Sequence, residues 1–472
     1  MKRLILQGIS LALFFLSTSS YDNNYVEEIY KWKRVEYENL PKPANSLVGP
    51  YRYYIPENID IMGMGYHSAS GLMLVAVGRL RPGTPATAAA FCAKKYKSGS
   101  SPKLWAFPDY ETNALRDSDF YNKLNRRKRK AANSQSNSDI DGRHYDQQKL
   151  TYQKPETTFL ASSEKFRIIS VYQMNVDEKC HRVFFVDVGV LDYFLNGTNV
   201  IQKPALLVYD LPPDGCESRK FRLIRRVEIP DRVASHNPFG ILYTTIDYQS
   251  ENCDDLYLYI MNFDSYLIVY DYKRNDFWHF TNHPTFQPIT AESFFVYEKT
   301  LHYQLLEGLM SVALGYPDRY GDRTAYYLTG ASTAQFAVST RILKDKRKSL
   351  THYNLDDFRL VGYRGCLSNA GKMAVDYTYG VIFYAERQSN RIRCWNMNKP
   401  LNPDNLGVVF ESDKIQYPLT IFKDSRGYIW FNSCRLPVLV FTNTSLDLNE
   451  VNNRFFRIKV RDAIRGTVCE NN

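Results

Sequence analysis

The stretch VDYTYGVIFYAERQSNRIRCW, residues 375–395, contains the pattern that decides the fold. Val381–Ala385 is a short run of β-branched and aromatic residues, which is typical of a β-strand. The turn before it contains Asp376, which can hydrogen-bond the turn backbone, and Gly380, which can adopt a positive φ. Because a second run, Arg391–Trp395, follows after one turn, the stretch predicts two adjacent antiparallel strands.

The same pattern recurs along the chain, whereas a sustained helical period is hard to find. The leading strands that share it are Leu72–Val77, Arg182–Asp187, Leu256–Ile260, Thr324–Leu328, Val381–Ala385 and Tyr428–Phe431. The partner strands that follow them include Leu206–Asp210, Leu267–Asp271, Gln335–Ser339, Arg391–Trp395 and Val438–Phe441. After a longer first gap, the spacing of the leading strands approaches the length of one four-stranded blade. The repeat predicts an all-β, six-bladed β-propeller as one domain over residues 21–472; the alternative is an irregular pair of β-sandwiches.

The longer first gap coincides with a basic and polar stretch, residues 117–148. Few apolar residues lie there, so the sequence predicts a disordered insertion between blades one and two. Its cationic run, Arg126, Arg127, Lys128 and Arg129, fits the pattern read by secretory-pathway convertases, and the alternative is an uncut, solvated loop. The run is flanked by Asn, Ser and Gln rather than by stacking aromatics, and we therefore expect no nucleic-acid binding.

The N-terminal sequence indicates export. Residues 1–20 have a basic start, an apolar run, Leu4–Leu16, and small residues after it, which is the pattern of a secretory signal peptide. No other stretch is apolar enough to span a membrane, so we expect a secreted, extracellular chain without a membrane partner. In that compartment the sequons at Asn196 and Asn443 are expected to carry glycans, and the cysteines are expected to form disulfides.

The chain resembles the insect Yellow and major royal jelly proteins over nearly the whole mature sequence. Stretches that carry the resemblance, in order, are Tyr54–Asn58, Gly83–Thr87, Ser101–Leu104, Ser170–Tyr172, Val176–Arg182, Pro204–Leu211, Leu267–Asp271, Arg393–Asn396 and Arg435–Pro437. The resemblance implies a six-bladed propeller, in agreement with the repeat. It also implies disulfides between Cys180 and Cys253 and between Cys394 and Cys469; it leaves open the state of Cys92, Cys216, Cys366 and Cys434.

Candidate ligand-pocket residues come from two sources. In the amine-binding members of the family, a Thr, an Asn and an aromatic residue contribute to the pocket, and the resemblance places these positions at Leu419, Cys434 and Leu436. Such a pocket needs polar acceptors, which two Leu and a Cys do not supply, so we do not expect tight amine binding of that type. Aligning the repeats puts Phe263, Arg387 and Cys434 in comparable positions after their leading strands, at the channel end where propellers bind small molecules. For Arg387 the alternative is a solvated hairpin residue.

No motif in the sequence demands catalysis. The histidines show neither HxH nor HExxH spacing, and the turn that contains His279 and His283 does not favour a metal site; we expect no metal and no cofactor. The resemblance implies a secreted protein of pigmentation, through the melanin pathway, or of cuticle or eggshell hardening, with a structural or ligand-binding role. Candidate partners are a small catechol or amine and the extracellular matrix. The alternatives are a dopachrome-converting enzyme and a carrier of small biogenic amines or catechols.

Overall fold

The structure is a computed structural model that describes residues 23–41, 54–115, 166–191, 199–234, 240–281, 283–350 and 355–470. The predicted signal peptide, 1–20, the predicted insertion, 117–148, with Arg126–Arg129, and the sequon at Asn196 lie outside the described residues. The strands on either side of the insertion belong to the first and second blades, which places it between them as predicted.

Six four-stranded antiparallel sheets form the blades of a propeller. From the channel outward, the strands of blade one are Gly63–His67, Leu72–Ala76, Ala88–Cys92 and Trp105–Ala106; of blade two Asn175–Asp177, Arg182–Asp187, Ala205–Asp210 and Leu223–Glu228; of blade three Ile241–Tyr248, Leu256–Asn262, Tyr266–Asp271 and Asp276–Thr281. Those of blade four are Leu309–Pro317, Arg323–Thr329, Ala334–Ser339 and Arg359–Tyr363; of blade five Ala370–Asp376, Val381–Glu386, Arg391–Asn396 and Leu406–Glu411; of blade six Ile421–Lys423, Tyr428–Ser433, Asn453–Lys459 and Glu27–Trp32.

The predicted six-bladed propeller is confirmed, with one change in strand order. The leading strands recognised in the sequence are second in each sheet, because one further strand precedes each of them along the channel. Their long apolar runs follow from this position: every residue of Val381–Glu386 is buried, since both faces of a middle strand pack against neighbouring blades. The hydrophobic core accordingly lies in the seams between blades.

Shorter elements connect the blades. Two further hairpins pair Phe294–Tyr297 with Leu301–Gln304 and Val190–Leu191 with Asn199–Val200. The α-helices are Tyr110–Asn113, Thr340–Lys344, Leu436–Phe441 and Val460–Ile464, and the 3-10 turns are Pro56–Asn58, Ala93–Lys95, Pro284–Phe286, Thr290–Glu292, Lys346–Leu350, Leu355–Asp357 and Pro403–Asn405. Within the described ranges, no helix has the length and apolar character needed to cross a membrane.

The prediction of a strand at Val438–Phe441 is wrong. These residues lie in the helix Leu436–Phe441, and the third strand of blade six is Asn453–Lys459. Pro437 stands in the first turn of that helix, where its fixed φ favours the helical conformation and its missing N–H has no intrahelical partner to lose. An apolar run of this length does not by itself distinguish a strand from a short helix.

The ring is closed by the N-terminal strand. Glu27–Trp32 pairs antiparallel with Asn453–Lys459 and completes blade six from the other end of the chain. Trp32 is buried, its ring centroid lies 6.0 Å from that of Phe91 in blade one, and its indole N–H donates to the Pro102 carbonyl at 2.8 Å. Blades six and one therefore share apolar contacts as well as hydrogen bonds.

Three disulfides tie parts of the ring together. Cys180–Cys253 and Cys394–Cys469, the two pairs that the resemblance implies, are both present, and Cys92 pairs with Cys216. Cys366 is free and exposed, and Cys434 is free and buried. The bonds join blade one to two, blade two to three, and blade five to the segment after blade six.

A buried arginine holds the two ends of the insertion. The guanidinium of Arg79 donates to the carbonyls of Asn113 and Ile169, each at 2.6 Å, and to the carbonyl of Ile168 at 3.2 Å. Asn113 precedes the insertion and Ile168 follows it. The charged side chain is only 2% exposed and thus depends on these carbonyls to replace water.

Candidate functional site

A cavity of about 210 Å³ lies at one end of the central channel. Its walls are mostly apolar and aromatic, and its polar groups include the Gln173 amide and the Glu307 carboxylate. The aromatic side chains in contact with it are Tyr172, Tyr243, Phe263, Tyr417 and Phe441. A pocket with apolar walls and a few converging polar groups is the usual form of a small-molecule site.

The innermost strands expose cavity residues through β-bulges. In blade three the register shifts between Ile241 and Tyr243, and in blade four it shifts between Leu309 and Ser311. The residues at these irregularities, Leu242 with Tyr243 and Met310, line the cavity. A bulge inserts one extra residue and re-aims the neighbouring side chains, which explains how regular strands present these groups to the channel.

A hairpin and a helix cover the cavity from outside the blade pattern. The Tyr303 ring, on the hairpin strand Leu301–Gln304, stacks on the Phe441 ring with centroids 4.0 Å apart. Phe441 ends the helix Leu436–Phe441 and contacts the cavity, as does Leu306 just after the hairpin. The aromatic stack therefore joins the two covering elements.

A buried ion pair borders the cavity. Arg387 donates to the Glu307 carboxylate at 2.5 Å, to the Gly330 carbonyl at 3.0 Å and to the Tyr417 hydroxyl at 3.2 Å. The side chain of Arg387 is fully buried and that of Glu307 is 13% exposed. Burial alone lowers the pKa of Arg387, but the adjacent Glu307 carboxylate more than reverses this effect and leaves that pKa above its ordinary value. The guanidinium stays charged and fixes Glu307.

The structure brings the five sequence candidates to one end of the channel, in two layers. Phe263, Leu419 and Leu436 line the cavity directly. Arg387 and Cys434 lie behind Tyr417: the arginine bonds its hydroxyl, and the Cys434 thiol bonds its carbonyl at 3.4 Å. The alternative of Arg387 as a solvated hairpin residue is wrong, because Glu307, 80 positions away in the chain, buries and pairs it.

Cys434 has an acidic neighbour. Asp60 is 2% exposed and accepts the Arg435 backbone N–H at 3.1 Å. Burial raises the pKa of Asp60 to about 7, against the lowering effect of this N–H. Burial also raises the pKa of the Cys434 thiol well above its ordinary range, and the Asp60 charge adds to that shift. The thiol is therefore a poor nucleophile in this setting.

The histidines of the described chain do not form a metal centre. His67 and His181 share a hydrogen bond, Nε2 to Nδ1 at 2.9 Å, across blades one and two. His279 contacts the Val233 carbonyl and His283 contacts Thr285, so the two do not converge. Among the described residues, no three or more His, Cys, Asp or Glu side chains group as metal ligands would.

The sequon at Asn443 lies just after the helix Leu436–Phe441, and its asparagine is exposed. The side chain of Arg81 donates to the backbone carbonyl of the following Thr444 at 2.7 Å. This hydrogen bond fixes the segment at the surface, where a glycan attached to Asn443 would extend into solvent.

A closed ring of six four-stranded blades, with a cavity at one end of its channel, places the chain among the six-bladed β-propellers. The family model described as major royal jelly protein matches residues 169–469. The chain belongs to the major royal jelly protein family, to which the Yellow-related proteins below are also related.

Three relatives show the range of this similarity. Yellow-related salivary protein ASP4 of Phlebotomus orientalis is 36% identical over 312 residues, covering 64% of this chain and 74% of that protein. Yellow-related salivary protein SP03 of Phlebotomus perniciosus is 30% identical over 449 residues, covering 94% of both chains. L-dopachrome tautomerase yellow-f of Drosophila melanogaster is 28% identical over 473 residues, covering 96% of both.

Proposed function

We propose that this protein is secreted and binds a small aromatic molecule of the catechol type at the end of its channel, in the chemistry of pigmentation or of cuticle or eggshell hardening. The cavity is the observation that carries the proposal. Its volume of about 210 Å³ exceeds the ~150 Å³ that accommodates benzene. It is smaller than the ~300 Å³ at which pockets for drug-sized ligands begin. One substituted ring fits this space.

The wall chemistry agrees with such a ligand. Aromatic rings on several sides can pack against the faces and edges of a bound ring. The Gln173 amide and the tyrosine hydroxyls at the wall offer hydrogen bonds to ring hydroxyls. The relative named L-dopachrome tautomerase supports a role near catechol chemistry.

Titration calorimetry with 4-ethylcatechol tests the proposal. We expect saturable one-site binding to the wild-type protein and its loss in Leu436→Trp, whose larger side chain fills the cavity. Unfolding midpoints of both proteins check that the variant folds. An absence of binding to the wild type, or equal binding to a folded Leu436→Trp protein, contradicts the proposal.

Dopachrome conversion is a second candidate function, favoured by the full-length similarity to the Drosophila tautomerase. Moving a proton at a ring carbon requires an acid or base in contact with the substrate. Of the described residues at the cavity, Glu307 is the one carboxylate in that position. The assay is the loss of dopachrome absorbance against a heat-killed control. If the protein is an enzyme of this kind, Glu307→Gln should slow the reaction without abolishing 4-ethylcatechol binding.

A further inference from the structure

The innermost strand of blade five has a bulge equivalent to those of blades three and four. Its register with the next strand shifts between Ala370 and Met373, so Gly371 and Lys372 are at the irregularity. In blades three and four the residues at this level line the cavity. The same device in the third consecutive blade therefore places residues 371–372 at the level of the cavity, behind residues of its wall rather than in the wall itself.

Gly371 lies directly against cavity residues. A Cβ atom at this position would be 3.2 Å from the Leu419 carbonyl oxygen and 3.3 Å from Cδ of Arg387. The next residue, Lys372, extends its ammonium to 5.7 Å from the ring centroid of Tyr243. Tyr243 spans the channel, with its hydroxyl donating to the Leu419 carbonyl at 3.2 Å, and its ring lines the cavity. Lys372 is thus a neighbour of the cavity's own wall.

Lys372 lacks a counter-charge in the described part of the chain. No carboxylate there lies within 4.0 Å of its Nζ atom, and its contact is with the aromatic face of Tyr243. Lys423, the lysine on the innermost strand of blade six, is different, because it pairs with Asp376 at 2.7 Å. A partly buried ammonium without a carboxylate is costly, and such a group is a ready partner for an anion.

The charges on the cavity wall cancel, whereas the charge of Lys372 beside the wall has no partner among the residues that the structure describes. Glu307 is the charged residue of the wall, and its ion pair with Arg387 cancels it. Lys372 then leaves one positive charge in excess. Burial lowers the pKa of Lys372 to about 8, so the amine is mostly protonated at neutral pH.

We propose that Lys372 binds the carboxylate of an aromatic carboxylic acid whose ring occupies the cavity, and that it selects such acids over the corresponding amines. This rests on the proposed function and specifies its ligand class. The ammonium gains the counter-ion that the protein does not provide, and a cationic amine meets an uncancelled positive charge instead.

Three catechols of matched size test this inference: 3-(3,4-dihydroxyphenyl)propionic acid, 4-ethylcatechol and dopamine. They share the catechol ring and the two carbons attached to it, and they differ in the end of this chain, which carries a carboxylate, no further group or an ammonium. For the wild-type protein we expect the acid to bind at least about tenfold more tightly than 4-ethylcatechol, and dopamine to bind most weakly. A factor of ten corresponds to ~1.4 kcal/mol, within the range of one charge-assisted hydrogen bond.

Two lysine variants separate a specific contact from general charge. Lys372→Met should lower the affinity for the acid about tenfold and leave that for 4-ethylcatechol unchanged. Lys95→Met, which removes a lysine whose partner Glu217 is itself exposed, should change neither affinity. The unfolding midpoint of Lys372→Met should not fall, since the variant removes an uncompensated ammonium.

The outcomes are distinguishable. If 4-ethylcatechol binds but the acid binds no better, or if Lys372→Met keeps the preference for the acid, the inference is overturned and the proposed function stands. If none of the three catechols binds to the wild type, both are overturned.

Discussion

Replacing Arg387 with methionine should destabilise the fold strongly, because it leaves the Glu307 carboxylate in a largely buried position without its partner. The variant loses the contacts to Glu307 at 2.5 Å, to the Gly330 carbonyl at 3.0 Å and to the Tyr417 hydroxyl at 3.2 Å. Breaking one side of a buried ion pair costs ~3–5 kcal/mol. With Glu307 at 13% exposure, some water reaches the remaining carboxylate, and we expect the lower half of this range.

The double variant Arg387→Met/Glu307→Gln tests the reasoning directly. Without the buried carboxylate, the change to methionine should destabilise the protein less. The loss of stability in the double variant should therefore be ~2 kcal/mol smaller than the sum of the losses in the two single variants. Urea unfolding followed by tryptophan fluorescence and far-UV circular dichroism gives the free energies of unfolding. Lys95→Met is the control: it breaks an exposed pair with Glu217, 51% and 71% exposed, and should cost less than ~1 kcal/mol. A cost for Arg387→Met no greater than that of the control, or strict additivity, would refute this account of the ion pair.

The remaining predictions concern pH and one disulfide. Burial, reinforced by His181, lowers the pKa of His67 to about 4. Because the unfolded chain then binds a proton at higher pH than the folded one, the free energy of unfolding should fall by ~3 kcal/mol as pH drops from 6.5 to 4. The urea midpoint of His67→Gln should change less over this range than that of the wild type. Burial raises the pKa of Asp60 to about 7, so the stability that its protonated form contributes is fully present below pH 3.8 and is lost as pH rises through 7, by up to ~4 kcal/mol. Asp60→Asn should therefore be more stable than the wild type at pH 8. Equal urea midpoints for the two proteins at that pH would contradict the shift. Replacing Cys394 and Cys469 by alanine removes a disulfide between residues 75 positions apart and should lower the free energy of unfolding by ~4 kcal/mol. Without reductant, the urea midpoint of the variant should be lower than that of the wild type. With reductant, the two midpoints should be equal.

The sequence predicts the architecture well because the middle strands of a blade are apolar on both faces. The sequence predicts strands at Val381–Ala385 and Arg182–Asp187, and the structure buries every residue of the corresponding strands, Val381–Glu386 and Arg182–Asp187. Two of the six innermost strands escape detection because they are short: Asn175–Asp177 and Ile421–Lys423 are three residues long and are not distinct from a turn. The helix Leu436–Phe441 is mistaken for a strand because its apolar content carries no period over so few residues.

The candidate site is predictable where the repeat recurs in the sequence or where the family resemblance assigns a position, as it does for Leu419 and Leu436. Phe263 and Arg387 are found because each follows the second strand of its blade. Glu307 is missed because it lies after a hairpin that has no counterpart in the other blades, and its partner is far away in the chain. Lys372 is missed for a related reason, because a bulge is a property of strand pairing and not of one strand's composition.

The distribution of the disulfides divides the ring unevenly. Cys92–Cys216, Cys180–Cys253 and Cys394–Cys469 restrain blades one, two, three, five and six, while the strands described for blade four take part in none of them. Local unfolding follows the least restrained cooperative unit of a fold. Blade four also supplies the cavity residue Met310. Its local unfolding should have the lowest free energy among the blades, so its amide protons should exchange with solvent most readily. Because blade four contributes to the cavity wall, its local unfolding would release a bound ligand. The residence time of the ligand would then depend on how often this blade opens.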